Sequence, residues 1–90
     1  MNTDEMLASL KIDLGIATNA YDVRLGQYLT SAEQAITAEG ITPDGSISDC
    51  NLIIMYAGWL WRKRDTGESM PRMLRYQLNN RLFREKVQNG

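Results

Sequence analysis

Apolar residues recur with the period of an α-helix in four segments of this chain, and turn or breaker residues separate the segments. The breakers are Gly15, Gly40, a turn at residues 43–45 and the stretch "DTGES" at residues 65–69. No run of alternating β-branched residues bounded by hairpin turns competes with this pattern. The spacing therefore predicts an all-α fold, a compact bundle of about four helices forming a single domain over residues 1–90.

The first two predicted helices differ in length. The first is short and amphipathic, with Thr3 as its N-cap and Gly15 as its stop. The second is predicted to run from an N-cap at Asn19 for about five turns to Gly40. The sequence favours one long second helix over a break at its internal "TSAE".

The third predicted helix follows the turn at residues 43–45 and runs from about residue 48 to residue 65. Ser46 and Asp49 have the spacing of a capping box at its start. Its apolar residues cover a wide sector, which is typical of a central helix. We expect Trp59 and Trp61, both on this helix, to belong to the core.

The fourth predicted helix has Pro71 in its first turn and ends near residue 87. At about 100° per residue, Leu74, Leu78 and Leu82 form one apolar stripe, and we expect Leu74 to lie in the core. A second apolar stripe lies roughly 140° to 180° away, so the domain's own core cannot cover both stripes. Its members are Tyr76, Phe83 and Val87.

The cations of the fourth helix lie in the two gaps between these stripes. Arg72, Arg75 and Lys86 fall in one gap, and Arg81 and Arg84 fall in the other. A helix that enters the major groove of DNA presents its polar residues on one exposed face. Cations on both sides of apolar stripes instead favour a helix packed between protein bodies.

The residue types exclude most enzymatic chemistry. The chain has no histidine and a single cysteine, so it cannot form a zinc site, a Cys/His or Ser/His catalytic pair, or an internal disulfide. We expect a protein that is not an enzyme and has no cofactor or metal. The acidic N-terminus and the lack of an apolar run of roughly 18 residues also predict a soluble, intracellular protein without a membrane partner.

Charge is divided between the two halves of the chain. Residues 1–50 carry two basic and eight acidic side chains, whereas residues 51–90 carry eight basic and three acidic ones. A chain of 90 residues is near the lower limit for a stable core without a partner. Unlike halves permit head-to-tail contact between copies, which makes a ring if the rotation closes.

Motifs along nearly the whole chain resemble those of the small all-α head-tail connector proteins of long-tailed bacteriophages and prophages, also called adaptor or head-completion proteins. "LKIDLGI" at residues 10–16 is similar to the family's short first helix and its exit. "YDVRLGQYLTSAEQAITAEGI" is similar to its long second helix. Ala32, Ile36 and Gly40 occupy the positions of an A-x3-I-x3-G pattern there.

Two further motifs carry the same resemblance. "MYAGWLWRKR" resembles the family's third-helix signature, in which an aromatic residue, here Trp61, precedes an arginine, here Arg64, by three positions. "MPRMLRYQLNNRLFREK" resembles the final helix, which opens with an apolar residue and a proline, here Met70 and Pro71.

The resemblance implies a structural role without catalysis or cofactor. It implies a homo-oligomeric ring, commonly of twelve subunits, at the head-tail junction of the virion, made from chains synthesised in the bacterial cytoplasm. The expected partners are other copies of the chain, the portal protein, a tail-completion or stopper protein, and DNA that passes through the channel without being read. Residues expected near subunit or portal contacts are Arg64, Arg72, Arg75 and Tyr76; those expected to face the portal or DNA are Arg81, Arg84 and Lys86.

An alternative is a small helical nucleic-acid-binding module, such as a prophage regulator. "RYQLNNRLFREK" would serve as its recognition helix, with Gln77, Asn79 and Asn80 reading base edges. The sequence pI of about 5.3 argues against this alternative, because such domains usually exceed a pI of about 9.

Overall fold

The computed structural model describes residues 1–89, and all of its regular secondary structure is helical. No strand occurs within the described residues, which confirms the all-α prediction. The four helices are α1 (Thr3–Leu14), α2 (Asp22–Ala38), α3 (Ile47–Thr66) and α4 (Arg72–Asn89).

The ends of α1 are set by side-chain and glycine caps. Asn2, and not the predicted Thr3, is the N-cap, and it forms a capping box in which its side chain accepts from the Glu5 amide and Glu5 accepts from the Asn2 amide. Gly15 ends the helix with φ 71°, as predicted. That left-handed conformation carries no Cβ penalty at glycine.

Helix α2 begins two residues later than the sequence predicts, because its N-cap is Tyr21 and not Asn19. Asn19 does not cap the helix, because its side-chain oxygen accepts a hydrogen bond of 2.9 Å from Lys11 Nζ. Lys11 also pairs with Asp22 at 2.9 Å, which ties α1 to the first turn of α2. From Asp22 the helix is continuous to Ala38, so the prediction of one long helix is confirmed.

The exit of α2 requires a glycine. Gly40 has φ 107°, and a Cβ there would lie 3.3 Å from Leu82 Cδ1. After the loop, the Ser46 hydroxyl accepts from the Asp49 amide at 3.1 Å and caps α3. Only this half of the predicted capping box forms, because the Asp49 carboxylate binds other groups.

Helix α3 is central, as predicted, since it packs against α1, α2 and α4. Two small residues of α3, Ala57 and Gly58, are buried, and a Cβ at Gly58 would lie 3.7 Å from Leu10 Cδ1 of α1. The prediction that Trp59 and Trp61 are core residues needs correction, because both are half-buried and pack against the edge of the core. The buried apolar residues are Leu10, Leu25, Leu29, Ala32, Ile36, Ile41, Cys50, Leu52, Ile53, Ile54, Ala57, Leu74 and Leu78.

The start of α4 lies directly after Pro71. The Pro71 carbonyl accepts the first helical hydrogen bond, from the Arg75 amide at 3.1 Å. Of the predicted stripe, Leu74 and Leu78 are fully buried and Leu82 is half-buried against the core. The Cα atoms extend 44 × 29 × 17 Å, a thickness of about two helix layers. Helix α4 therefore has one face toward the core and one away from it.

Within residues 1–89, no helix combines the length and the hydropathy that crossing a membrane requires.

Candidate interface on the fourth helix

The side of α4 opposite Leu74 and Leu78 is apolar and uncovered. Met73, Tyr76, Phe83 and Val87 are each between 60% and 70% exposed. Together with Asn80 they follow one another at alternating intervals of three and four residues, which places them on a single face. We call these five residues the outer face of α4.

The outer face has the pattern of a coiled-coil seam. Its residues occupy successive a and d positions over two heptads, and Asn80 holds the middle a position. A single polar residue at such a position fixes the register of a partner helix at some cost in stability. The face therefore has the residue spacing that helix–helix packing uses.

Cations border the outer face on both sides. Arg72 and Lys86 lie along one edge, and Arg84 lies along the other; all three are exposed. Within residues 1–89, Arg72 and Lys86 form no ion pair, and Arg84 approaches one carboxylate, with Nη2 3.8 Å from Asp49 Oδ1. Of the residues predicted to meet partners, these three and Tyr76 lie together on or beside this face.

Arg81 lies on the opposite, inner side of the helix. Its side chain is only 5% exposed, and it is enclosed between α3 and α4. Its Nε and Nη2 donate to the two carboxylate oxygens of Asp49 at 2.9 and 3.2 Å, and Nη2 also donates to the Thr42 carbonyl at 2.9 Å. The expectation that Arg81 faces a portal or DNA is thus corrected, because its donors are used inside its own chain.

Glu85 is also buried, and we call Arg81, Asp49 and Glu85 the buried cluster. It accepts from Arg81 Nη1 at 3.3 Å and from the Thr42 amide at 2.7 Å. Hydrogen bonds from Thr42, reinforced by Arg81, hold the pKa of Glu85 below its usual range. The Asp49 carboxylate in turn raises the pKa of Arg81 further above its ordinary value.

The cluster fixes the loop between α2 and α3. The Asp44 amide donates to Asp49 Oδ2 at 3.0 Å, and the Asp44 side chain accepts from the Ser46 amide at 2.9 Å. The hydrogen bonds to Ser46 are the main cause that lowers the pKa of Asp44 from 3.8 to about 2. One arginine of α4 therefore joins α3, the loop and α4, and sets the rotation of α4 about its axis.

Arg75 makes a second tie from α4 to the rest of the domain. Both of its Nη atoms donate to the Glu39 carboxylate, with Nη1 3.3 Å from Oε2. A bidentate pair of this kind fixes orientation as well as distance. Arg75 is half-buried, so this predicted contact residue is already engaged within its own chain.

The aromatic residues at the end of α3 are covered by cations of the same chain. The Arg64 guanidinium lies 3.6 Å from the ring centre of Trp61, and the Lys63 ammonium lies 4.5 Å from that of Trp59. Arg64 also pairs with Asp65 at 3.0 Å. Arg64 lies on α3 and is not part of the outer face, and the ring faces that these cations cover are not open platforms for stacking bases.

Sequence reasoning found Tyr76, Phe83 and Val87 but missed two members of the outer face. Met73 and Asn80 complete the three-and-four spacing, and that spacing was the available signal.

The chain matches no known protein family, no curated protein and no solved structure.

Proposed function

We propose that this protein is a non-enzymatic, ring-forming head-tail connector of a long-tailed bacteriophage or prophage. In that role, copies of the chain join side by side beneath the portal and link the DNA-filled head to the tail. The observation that carries the proposal is the outer face of α4, a large apolar surface without a cover in a domain of two helix layers.

An uncovered apolar face bordered by polar residues marks a site of protein contact. The four apolar members of the outer face are large, and burying each such side chain stabilises a contact by about 1.5–3 kcal/mol at most. The same face offers little to nucleic acid, because four of its five residues are apolar and Arg81 is turned away. A protein partner therefore fits this surface better than a base-reading role.

The division of charge supports contact between unlike surfaces of identical chains. The acidic half of one copy can meet the cations that border α4 of the next. Such heterologous contacts close into rings when their rotation permits. The motif resemblance supplies the location at the head-tail junction, the portal and tail-completion partners, the commonly twelvefold ring, and passage of DNA through the channel.

The proposal is tested by adding the purified protein to portal particles from the phage or prophage that carries its gene. We expect co-sedimentation with the portal, and a ring on the portal's outer end in negative-stain images. Binding to short duplex DNA is measured in parallel at low and moderate salt. Failure to bind the portal, together with salt-sensitive DNA binding lost in Arg84→Gln, would overturn the proposal in favour of a nucleic-acid-binding module.

A further inference from the structure

We infer that the outer face of α4 receives the outward face of α1 from a second copy of this chain. The inference rests on the self-assembly in the proposed function and specifies which surfaces meet. It follows from three features: the spacing of the outer face, the sign of its bordering charges, and a matching acidic helix on the same molecule.

The outward face of α1 is apolar at its centre. Ile12 is 79% exposed, and Ala8, one turn earlier, is also exposed. Both lie on the side of α1 opposite the fully buried Leu10. Ala8 and Ile12 therefore form a short seam that packing within the monomer does not cover.

Carboxylates surround this seam. At about 100° per residue, Asp4 and Asp13 project on either side of Ile12, and Glu5 lies one turn before Ala8 on the same face. Asp4 and Asp13 form no ion pair within the described residues. The only cation of α1, Lys11, is engaged with Asn19 and Asp22. The exposed face of α1 is thus apolar with acidic borders.

The two faces complement each other in charge. The outer face of α4 is bordered by Arg72, Arg84 and Lys86 and by no carboxylate, since Glu85 points into the buried cluster. If two α4 helices paired with each other, their cations would meet no acceptors. Pairing with α1 instead brings carboxylates to both edges, where charged e and g positions select the partner of a helix seam.

The contact is heterologous, because each copy contributes one face to each neighbour. When the α4 face of one copy is filled, its α1 face remains free for the next copy. Repetition of this contact builds a chain of subunits that closes into a ring if the rotation permits.

Two single substitutions test this assignment by complementation. Ile12→Ser disables the α1 face, and Phe83→Ser disables the outer face of α4; both positions are exposed, so each variant should retain the circular dichroism and unfolding midpoint of the wild type. Sedimentation velocity then measures each variant alone and both mixed in equal amounts. We expect each variant alone to self-associate at least about tenfold more weakly than the wild type.

The mixture is expected to form a 1:1 dimer and nothing larger, because it retains one intact contact. The inference is overturned if Ile12→Ser associates like the wild type, if the mixture stays monomeric, or if the wild type itself stays monomeric. Portal binding by the same samples keeps the two proposals apart. If the wild type binds the portal and Ile12→Ser still forms rings there, only the α1 contact is disproved. If the wild type does not bind the portal but the two variants complement each other as expected, only the connector role is disproved.

Discussion

The inner face of α4, which packs against the core, holds a buried arginine that is surrounded by hydrogen-bond acceptors from its own chain. The cations that border the outer face are exposed and have almost no such acceptors. Arg81 and Arg84 are three residues apart, yet Arg81 is 5% exposed and hydrogen-bonded to Asp49, Thr42 and Glu85, while Arg84 is 54% exposed and its closest carboxylate is 3.8 Å away. The difference shows that residue type does not reveal function on this helix. The side of the helix determines whether a cation holds the fold or remains available to a partner.

The largest expected effect comes from removing the buried arginine. Arg81→Met leaves the Asp49 and Glu85 carboxylates without their cation, and breaking a buried ion pair in this way costs about 3–5 kcal/mol. Arg84→Met, the same change on the exposed edge, should alter the free energy of unfolding by no more than about 1 kcal/mol. Urea denaturation of both variants makes the comparison, and equal losses would show that the two faces do not differ as described.

A matched pair of apolar truncations compares the two faces without charge. Leu78→Ala removes a side chain that is 0% exposed and should destabilise the fold by about 2–5 kcal/mol. Val87→Ala, on the outer face, should change stability by about 0.5 kcal/mol or less when measured at a dilution where the chain is monomeric. A large loss for Val87→Ala would mean that the outer face is packed within the monomer.

Acid should destabilise the fold through the buried cluster and the loop beside it, where Glu85 and Asp44 lie. The pKa values of Asp44 and Glu85 are lower in the folded protein than in the unfolded chain, so the unfolded state binds more protons as the pH falls. Their contribution is fully present above the ordinary carboxyl pKa and is lost as the pH drops through the folded value, which for Asp44 is about 2. The outer face carries no carboxylate, and the arginines and lysine that border it keep their charge in acid.

The free energy of unfolding should therefore be level from about pH 7 to about pH 5 and fall between about pH 4 and about pH 2. Thermal unfolding followed by circular dichroism measures this slope. The double variant Asp44→Asn and Glu85→Gln should show a shallower slope than the wild type over the acid range. An unchanged slope would remove these two carboxyls from the explanation.

Salt should give the smallest effect, and it should act on the outer face. At about 1 M salt the Debye length is about 3 Å, so exposed cation–carboxylate contacts between copies are largely screened. We expect self-association to weaken about three- to tenfold between low and high sodium chloride, as a few surface pairs imply. Sedimentation equilibrium measures this, and association that is indifferent to salt would exclude the charged border from the contact.

Most of the fold could be predicted from local sequence signals. Gly15 and Ser46 act where the sequence places them, because a left-handed glycine and a capping hydroxyl depend only on nearby backbone. The prediction of Asn19 as an N-cap was wrong because its side-chain oxygen accepts a hydrogen bond from Lys11, eight residues away. Local signals thus fail where a side chain has a competing partner from another segment.

The position of Arg81 could not be derived in the same way. On a helical projection Arg81 lies only about 20° from Leu74, so its position on the helix is compatible with burial. A buried arginine, however, requires hydrogen-bond acceptors. Those acceptors are Asp49 and Thr42, which are 32 and 39 residues away in the sequence. The tertiary fold brings these acceptors to Arg81, and the spacing of residues along α4 does not predict that contact. The outer face, by contrast, depends only on spacing within one helix and was largely visible in the sequence.

The most direct test of the outer face as a protein contact is one variant measured in two ways. Phe83→Ser should lower self-association at least about tenfold while the free energy of unfolding of the dilute monomer stays within about 0.5 kcal/mol of the wild type. Gln34→Ser, an exposed change on α2, serves as the control and should alter neither quantity. Association equal to that of the wild type, or a loss of about 2 kcal/mol or more in monomer stability, would contradict the assignment of this face to a partner.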